Sequence, residues 1–78
     1  MTQYRKRPAI VEANQWSGRM SELPLGARSQ EDGSVYVVTI HGQVTWLAPF
    51  DWVIQEPDGE HYYPCKPDIF DLTYEAVP

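Results

Sequence analysis

Cys65, His41 and His61 are the residues of this sequence that are best suited to nucleophilic chemistry. A cysteine nucleophile needs a nearby histidine and a lowered pKa, and a position just before an expected helix start would lower the pKa of Cys65. Cysteine is also among the most frequently buried residue types, and packing is the ordinary role of a single one. The sequence therefore predicts a packed Cys65 and keeps a Cys65-dependent enzyme as a third hypothesis.

Metal and carboxylate chemistry have weaker support. A structural zinc ion needs four ligands, usually in closely spaced pairs, whereas Cys65 and the two histidines are single and far apart in the chain. A glycosidase pair needs two carboxylates ~5–9 Å apart across a cleft, for which a chain of 78 residues has little room. We therefore predict no metal, no cofactor and a solvated role for the acidic residues Glu56, Asp58, Glu60, Asp68 and Asp71.

Cationic and aromatic residues near the two ends of the chain form the pattern with the clearest binding chemistry. Arginine binds phosphate in a bidentate manner, and tyrosine or tryptophan rings stack on bases. These side chains converge if the N-terminal strand pairs near the start of the last helix. The predicted ligand-binding residues are Arg5, Lys6, Arg7, Tyr62, Tyr63 and Lys66. The alternative is a solvated arm at residues 5–7 and a core built on Trp16, Trp46 and Trp52.

Composition limits the classes of protein to which the chain can belong. Its 78 residues predict one small domain, 1–78, which excludes Rossmann and TIM-barrel enzymes. An apolar fraction of 42% excludes a disordered tail, and no apolar run approaches the ~18 residues of a membrane span. A net charge of −5 argues against duplex nucleic acid but permits a small anionic ligand. One cysteine agrees with a cytoplasmic location.

Residue patterns predict a strand at 8–16, a helical turn at 19–23, and hairpins at 35–47 and 51–63. Residues 24–34 have the composition of an exposed loop. Two hairpins are expected, one turning at His41-Gly42 and the other at residues 56–59, where proline and Asp-Gly favour a turn. Both runs of the first hairpin are more apolar than a half-exposed strand requires. They are therefore either central strands or strands with one face in an interface.

A helical period replaces the strand pattern at residues 67–77. Pro67 suits a first helical position, and one stripe contains Ile69, Phe70, Thr73, Tyr74 and Val77. We therefore predict an α+β fold, with a small twisted antiparallel β-sheet of about five strands in two hairpins and a short C-terminal helix packed on one face. So short a chain with a long apolar hairpin is also expected to form a homo-oligomer.

Three stretches resemble a family of very small bacteriophage and prophage proteins. Residues 4–16, Tyr-Arg-Lys-Arg-Pro-Ala-Ile-Val-Glu-Ala-Asn-Gln-Trp, are similar to the family's typical start, Tyr-Arg-Lys-Lys-Pro-Val-Val-Val-Glu-Ala-x-Gln-Trp. Residues 62–70, Tyr-Tyr-Pro-Cys-Lys-Pro-Asp-Ile-Phe, with Thr73-Tyr-Glu75, resemble its C-terminal signature. Residues 51–54 resemble its Gly-Asp-Trp/Tyr-Ile-Ile strand, with Phe50 where glycine is usual.

The resemblance implies a context rather than an activity, because the family has no accepted activity, cofactor or catalytic residue. It implies a small phage accessory protein in the cytoplasm of a bacterial host. With the residue pattern, it predicts a non-enzymatic homo-oligomer that sequesters a small anionic ligand, for example a nucleotide immune signal of the host, as an anti-defence protein. The alternative is a protein–protein interaction module that inhibits a host protein or assists phage assembly. Neither hypothesis involves a membrane.

Overall fold

Short strands and one helix make up the part of the chain that the structure, a computed structural model, describes, namely residues 1–5 and 9–78. A 3₁₀ turn covers Met20–Glu22, as the sequence predicts near 19–23, and helix α1 covers Pro67–Thr73. The α+β class is confirmed. The strands are β1 (Ala13–Gln15), β2 (Arg28–Ser29), β3 (Val35–Val38), β4 (Val44–Leu47), β5 (Trp52–Gln55) and β6 (Tyr62–Cys65).

These strands form two antiparallel sheets of three strands each, in the orders β1-β5-β6 and β2-β3-β4. The single sheet of about five strands is therefore divided, and the division lies at the corner between β4 and β5. Pro49 has no N–H for a ladder, and Phe50 adopts a φ of +72°. Among the described residues, Phe50 alone combines a side chain with a positive φ, at the position where the resembling family usually has glycine.

Both predicted hairpins form, with one difference in turn length. Gly59 donates its N–H to the Glu56 carbonyl at 3.0 Å, which confirms the turn at residues 56–59. In the β3–β4 hairpin, Thr39 and Gln43 still pair, so the loop has three residues, 40–42, rather than two. Gly42 takes a φ of +78°, which is the usual conformation of the last residue in such a loop.

The core consists of few side chains and lies on both faces of the β1-β5-β6 sheet, because the adjacent residues Val53 and Ile54 of β5 are both buried. The buried apolar residues are Trp16, Val35, Val37, Val53 and Ile54. Alternation explains the contribution of β3, since Val35 and Val37 face inward while their neighbours face outward. The alternative in which three tryptophans form the core is wrong for Trp46, which is 54% exposed.

Helix α1 is shorter than the predicted range 67–77 and uses only part of the predicted stripe. It ends at Thr73, and Ile69 and Val77 are largely exposed. Docking depends instead on Phe70, whose ring stacks on Trp52 of β5 with 3.9 Å between centroids and 7° between planes. No helix among residues 1–5 and 9–78 is long and apolar enough to cross a bilayer.

Candidate functional site

Lys66, one of the predicted ligand-binding residues, is held by the corner between the sheets. Its Nζ lies 3.1 Å and 3.0 Å from the two carboxylate oxygens of Asp51. Asp51 is 2% exposed and also accepts the Ala48 N–H at 2.9 Å. The ammonium of Lys66 therefore compensates a buried charge. A phosphate at this point would have to compete with Asp51 for the same cation.

Tyr62 and Tyr63 face opposite sides of β6, because adjacent strand residues alternate. The Tyr63 hydroxyl lies 3.1 Å from that of Tyr74, and burial followed by this hydrogen bond raises the pKa of Tyr63 well above its usual value. The Tyr62 ring packs against Gly26, where an added Cβ would lie only 2.3 Å from a ring atom. The two rings therefore do not line one binding site.

The N-terminal cations are only partly placed. Arg5 is exposed, while Lys6 and Arg7 lie outside the described residues. Within the described chain, no hydrogen bond or salt bridge joins Arg5 to Tyr62, Tyr63 or Lys66. The predicted ligand-binding set therefore stays a prediction, with Tyr62 and Tyr63 on opposite sides of β6.

The environment of Cys65 opposes a thiolate. Burial raises the pKa of the thiol, and the negative charges of Asp51 and Asp68 raise it further. Its Sγ lies 3.6 Å from the Lys66 carbonyl, and no described histidine hydrogen-bonds to it. The expected lowering of its pKa by a helix start is wrong, because burial and the two carboxylates raise the pKa instead.

Asp58, Glu60 and His61 bring their side-chain ligand atoms within 4.8 Å of one another in the β5–β6 turn. The Asp58 carboxylate accepts the backbone N–H groups of Glu60 and His61 at 3.0 Å and pairs with His61 Nδ1. The bond to His61 is the main reason that the pKa of Asp58 falls to about 2. These bonds shape the turn and account for the cluster without a metal.

The solvent-facing side of β3 and β4 carries an apolar surface, which we call the outer face and which consists of Tyr36, Val38, Val44 and Trp46. Tyr36 pairs with Trp46 and Val38 with Val44 in the register of the two strands. The rings of Tyr36 and Trp46 meet edge to face with 5.7 Å between centroids. Of the two possibilities that the sequence left open, the central position holds for β3, the middle strand of its sheet, whereas β4 is an edge strand with two exposed apolar residues, Val44 and Trp46.

β4 also has a free edge, which the sequence analysis did not identify. It ends the order β2-β3-β4, and no described strand pairs with its other side. Thr39 and Gln43 form a hydrogen-bonded pair, so the backbone groups of Thr45 bond to β3 while those of Val44 and Trp46 point away from it. This short strand carries neither a charge nor a proline, two of the usual features that protect an edge.

Comparison with known proteins found no match: no family model, no curated protein and no solved structure is significantly similar to the chain. The resemblance to small phage proteins is therefore neither supported nor opposed by these comparisons.

Proposed function

We propose that this chain is a non-enzymatic protein–protein interaction module, which acts as a homo-oligomer joined through the free edge of β4, two of whose residues also belong to the outer face. The observation that carries the proposal is the coincidence of two features at Val44 and Trp46. Their side chains are 51% and 54% exposed, and their backbone N–H and C=O groups point outward from the sheet.

A second copy of the chain fits this edge by symmetry. If two β4 strands pair in antiparallel fashion about Thr45, Val44 of one copy lies opposite Trp46 of the other, and the outward backbone groups of both residues gain partners. The side chains of the two outer faces then form one continuous apolar surface. Cross-strand pairs of aromatic and β-branched residues such as these stabilise a sheet.

The charge distribution permits this contact even though each chain carries −5. Neither the outer face nor β4 contains an acidic residue, so pairing does not place like charges opposite each other. Repulsion between the two bodies acts at longer range and is screened by salt. We therefore expect assembly at micromolar concentrations, more strongly at physiological salt than at low salt.

The phage context adds a role for the assembled protein. In the cytoplasm of an infected bacterium, such a module would inhibit a host protein or assist phage assembly. This part of the proposal rests on the resemblance of residues 4–16 and 62–70, and a pull-down from infected cells would identify the partner.

Sequestration of a small anionic ligand is the second candidate function. A recess of about 340 Å³ supports it, since Arg28 and His61 border this recess beside Tyr62, a predicted ligand-binding residue, together with one carboxylate, that of Glu60. Calorimetry with cyclic and linear nucleotides tests it, using Arg5→Ala, Arg28→Ala and Lys66→Ala. If the wild type binds a nucleotide and Arg28→Ala weakens this binding, sequestration at this recess is supported. If the wild type binds no nucleotide, the interaction module remains as the one candidate function.

Sedimentation equilibrium over a range of dilutions tests the proposed assembly. Val44→Lys places a charge at the free edge, and Leu72→Lys is its matched control, since Leu72 is an exposed apolar residue of α1. We expect the wild type and Leu72→Lys to dimerise equally and Val44→Lys to stay monomeric. A monomeric wild type, or a Val44→Lys protein that dimerises as the wild type does, would contradict the proposal.

A further inference from the structure

A groove runs between the extended residues 9–12 and the end of helix α1, away from the outer face. It consists of two adjoining cavities of about 650 and 580 Å³, which share residues 9–12, Thr73 and Tyr74. The β5–β6 turn and Tyr63 close the first cavity, and residues 75–77 border the second. This volume is sufficient for several side chains of an extended peptide.

Aromatic rings form one wall of the groove. Trp52, Phe70 and Tyr74 stack in sequence, with centroid distances of 3.9 Å and 4.9 Å and angles of 7° and 26° between planes. The Tyr63 hydroxyl adds a polar contact to Tyr74 at the junction of the two cavities. Stacking covers both faces of Phe70, so the ring face that remains for a cation at this end of the stack is the unstacked face of Tyr74, a residue that borders both cavities.

The charged residues of the groove, among those that the structure describes, are all acidic. Glu12 borders both cavities, Glu56 borders the first and Glu75 the second. The lining of both cavities, as far as the chain is described, contains no lysine or arginine. The Glu56 carboxylate accepts the N–H of Ile40, a residue outside both linings, at 2.6 Å, so the charge of the groove rests mainly on Glu12 and Glu75. An anionic ligand is therefore disfavoured here, and a cation is favoured.

We infer that this groove binds an extended basic segment of a partner polypeptide, in which lysine or arginine residues alternate with apolar ones. The carboxylates and ring faces attract the cationic groups, and Ile10, Val11 and Val77 contact the apolar side chains and the aliphatic stems. Because the groove shares no residue with the outer face, this inference and the proposed assembly can be tested independently of each other.

Fluorescence anisotropy with a labelled hexapeptide of alternating leucine and lysine tests the inference. We expect the wild type to bind this peptide and not the corresponding leucine–glutamate peptide. Glu12→Gln and Glu75→Gln should each raise the Kd about 2- to 5-fold, which is the usual effect of one exposed ion pair. Glu31→Gln is the matched control, an exposed carboxylate in a loop outside the groove, and should leave the Kd unchanged.

The aromatic wall is tested with two substitutions of Tyr74. Tyr74→Leu removes the ring and should raise the Kd about 2- to 5-fold, whereas Tyr74→Phe keeps the ring and should bind as the wild type does. Three results would overturn the inference: no binding of the lysine peptide, equal binding of the glutamate peptide, or a Glu31→Gln effect as large as that of Glu12→Gln. Each of them would show that the groove does not select a basic segment.

Discussion

Substitution of Asp51 and Lys66 separates a structural role of this ion pair from a role in ligand binding. Asp51→Ala removes the buried carboxylate and leaves the Ala48 N–H without its acceptor. An unsatisfied buried N–H costs ~1–3 kcal/mol, and the cavity adds to this cost. We therefore expect Asp51→Ala to lower the free energy of unfolding by about 2–4 kcal/mol.

Lys66→Met leaves the carboxylate without its cation. Breaking a fully buried pair costs ~3–5 kcal/mol, but the Lys66 side chain is 61% exposed, so water reaches the carboxylate once the ammonium is gone. The expected loss is therefore only about 1–2 kcal/mol. Because both substitutions remove the same contact, the double variant should be about as stable as Asp51→Ala alone.

Urea unfolding followed by tryptophan fluorescence measures these losses. A chain of 78 residues has a total stability of roughly 4–12 kcal/mol, so either loss is visible. Arg5→Met, which removes an exposed cation, serves as the control and should not change the midpoint. A Lys66→Met protein that is as stable as the wild type, or a loss larger than that of Asp51→Ala, would refute the structural role.

Other substitutions test the corner, the helix and one turn. Phe50→Gly should raise the free energy of unfolding by about 0.5–1 kcal/mol, because the backbone strain of ~1–2 kcal/mol that a side chain causes at a φ of +72° exceeds the entropic cost of glycine. A lower Tm in thermal unfolding would contradict this prediction. Phe70→Ala should lower the free energy of unfolding by about 2–3 kcal/mol, because it removes the stack on Trp52; this loss is smaller than that for a fully buried ring. An unchanged urea midpoint would show that the helix does not dock through this ring. The folded-state pKa of Asp58 is lowered to about 2, so its contribution to stability is present above pH ~4 and is lost as the pH falls towards 2. NMR titration measures this pKa, and Asp58→Asn should remove this part of the pH dependence of stability.

Local patterns predicted the local structure well. Proline and Asp-Gly identified the turn at residues 56–59, and β-branched runs identified both hairpins. Pro49, which has no N–H for a ladder, is visible in the sequence, but the positive φ at Phe50 is not, because this residue ordinarily avoids that conformation, and the division into two sheets was not predicted. The end of the helix at Thr73 was missed because the apolar stripe continues to Val77, although nothing among the described residues buries that side chain.

The site was harder to predict than the fold. The partner of Lys66 is Asp51, a contact between residues 15 positions apart that no local pattern reveals. The separation of Tyr62 from Tyr63 was readable, since adjacent residues of a strand face opposite sides. The free edge of β4 depends on the order of strands in the sheet, whereas the apolar excess of residues 35–47 did indicate an exposed face.

Amide hydrogen exchange at Val44 and Trp46, measured by NMR at several protein concentrations, tests the proposed assembly most directly. The Thr45 amide bonds to β3 within one chain and serves as the internal reference, protected at every concentration. If two copies pair at β4, the Val44 and Trp46 amides exchange fast in dilute protein and become protected as the concentration rises. Fast exchange of both amides in samples that sedimentation shows to be dimeric would contradict the account.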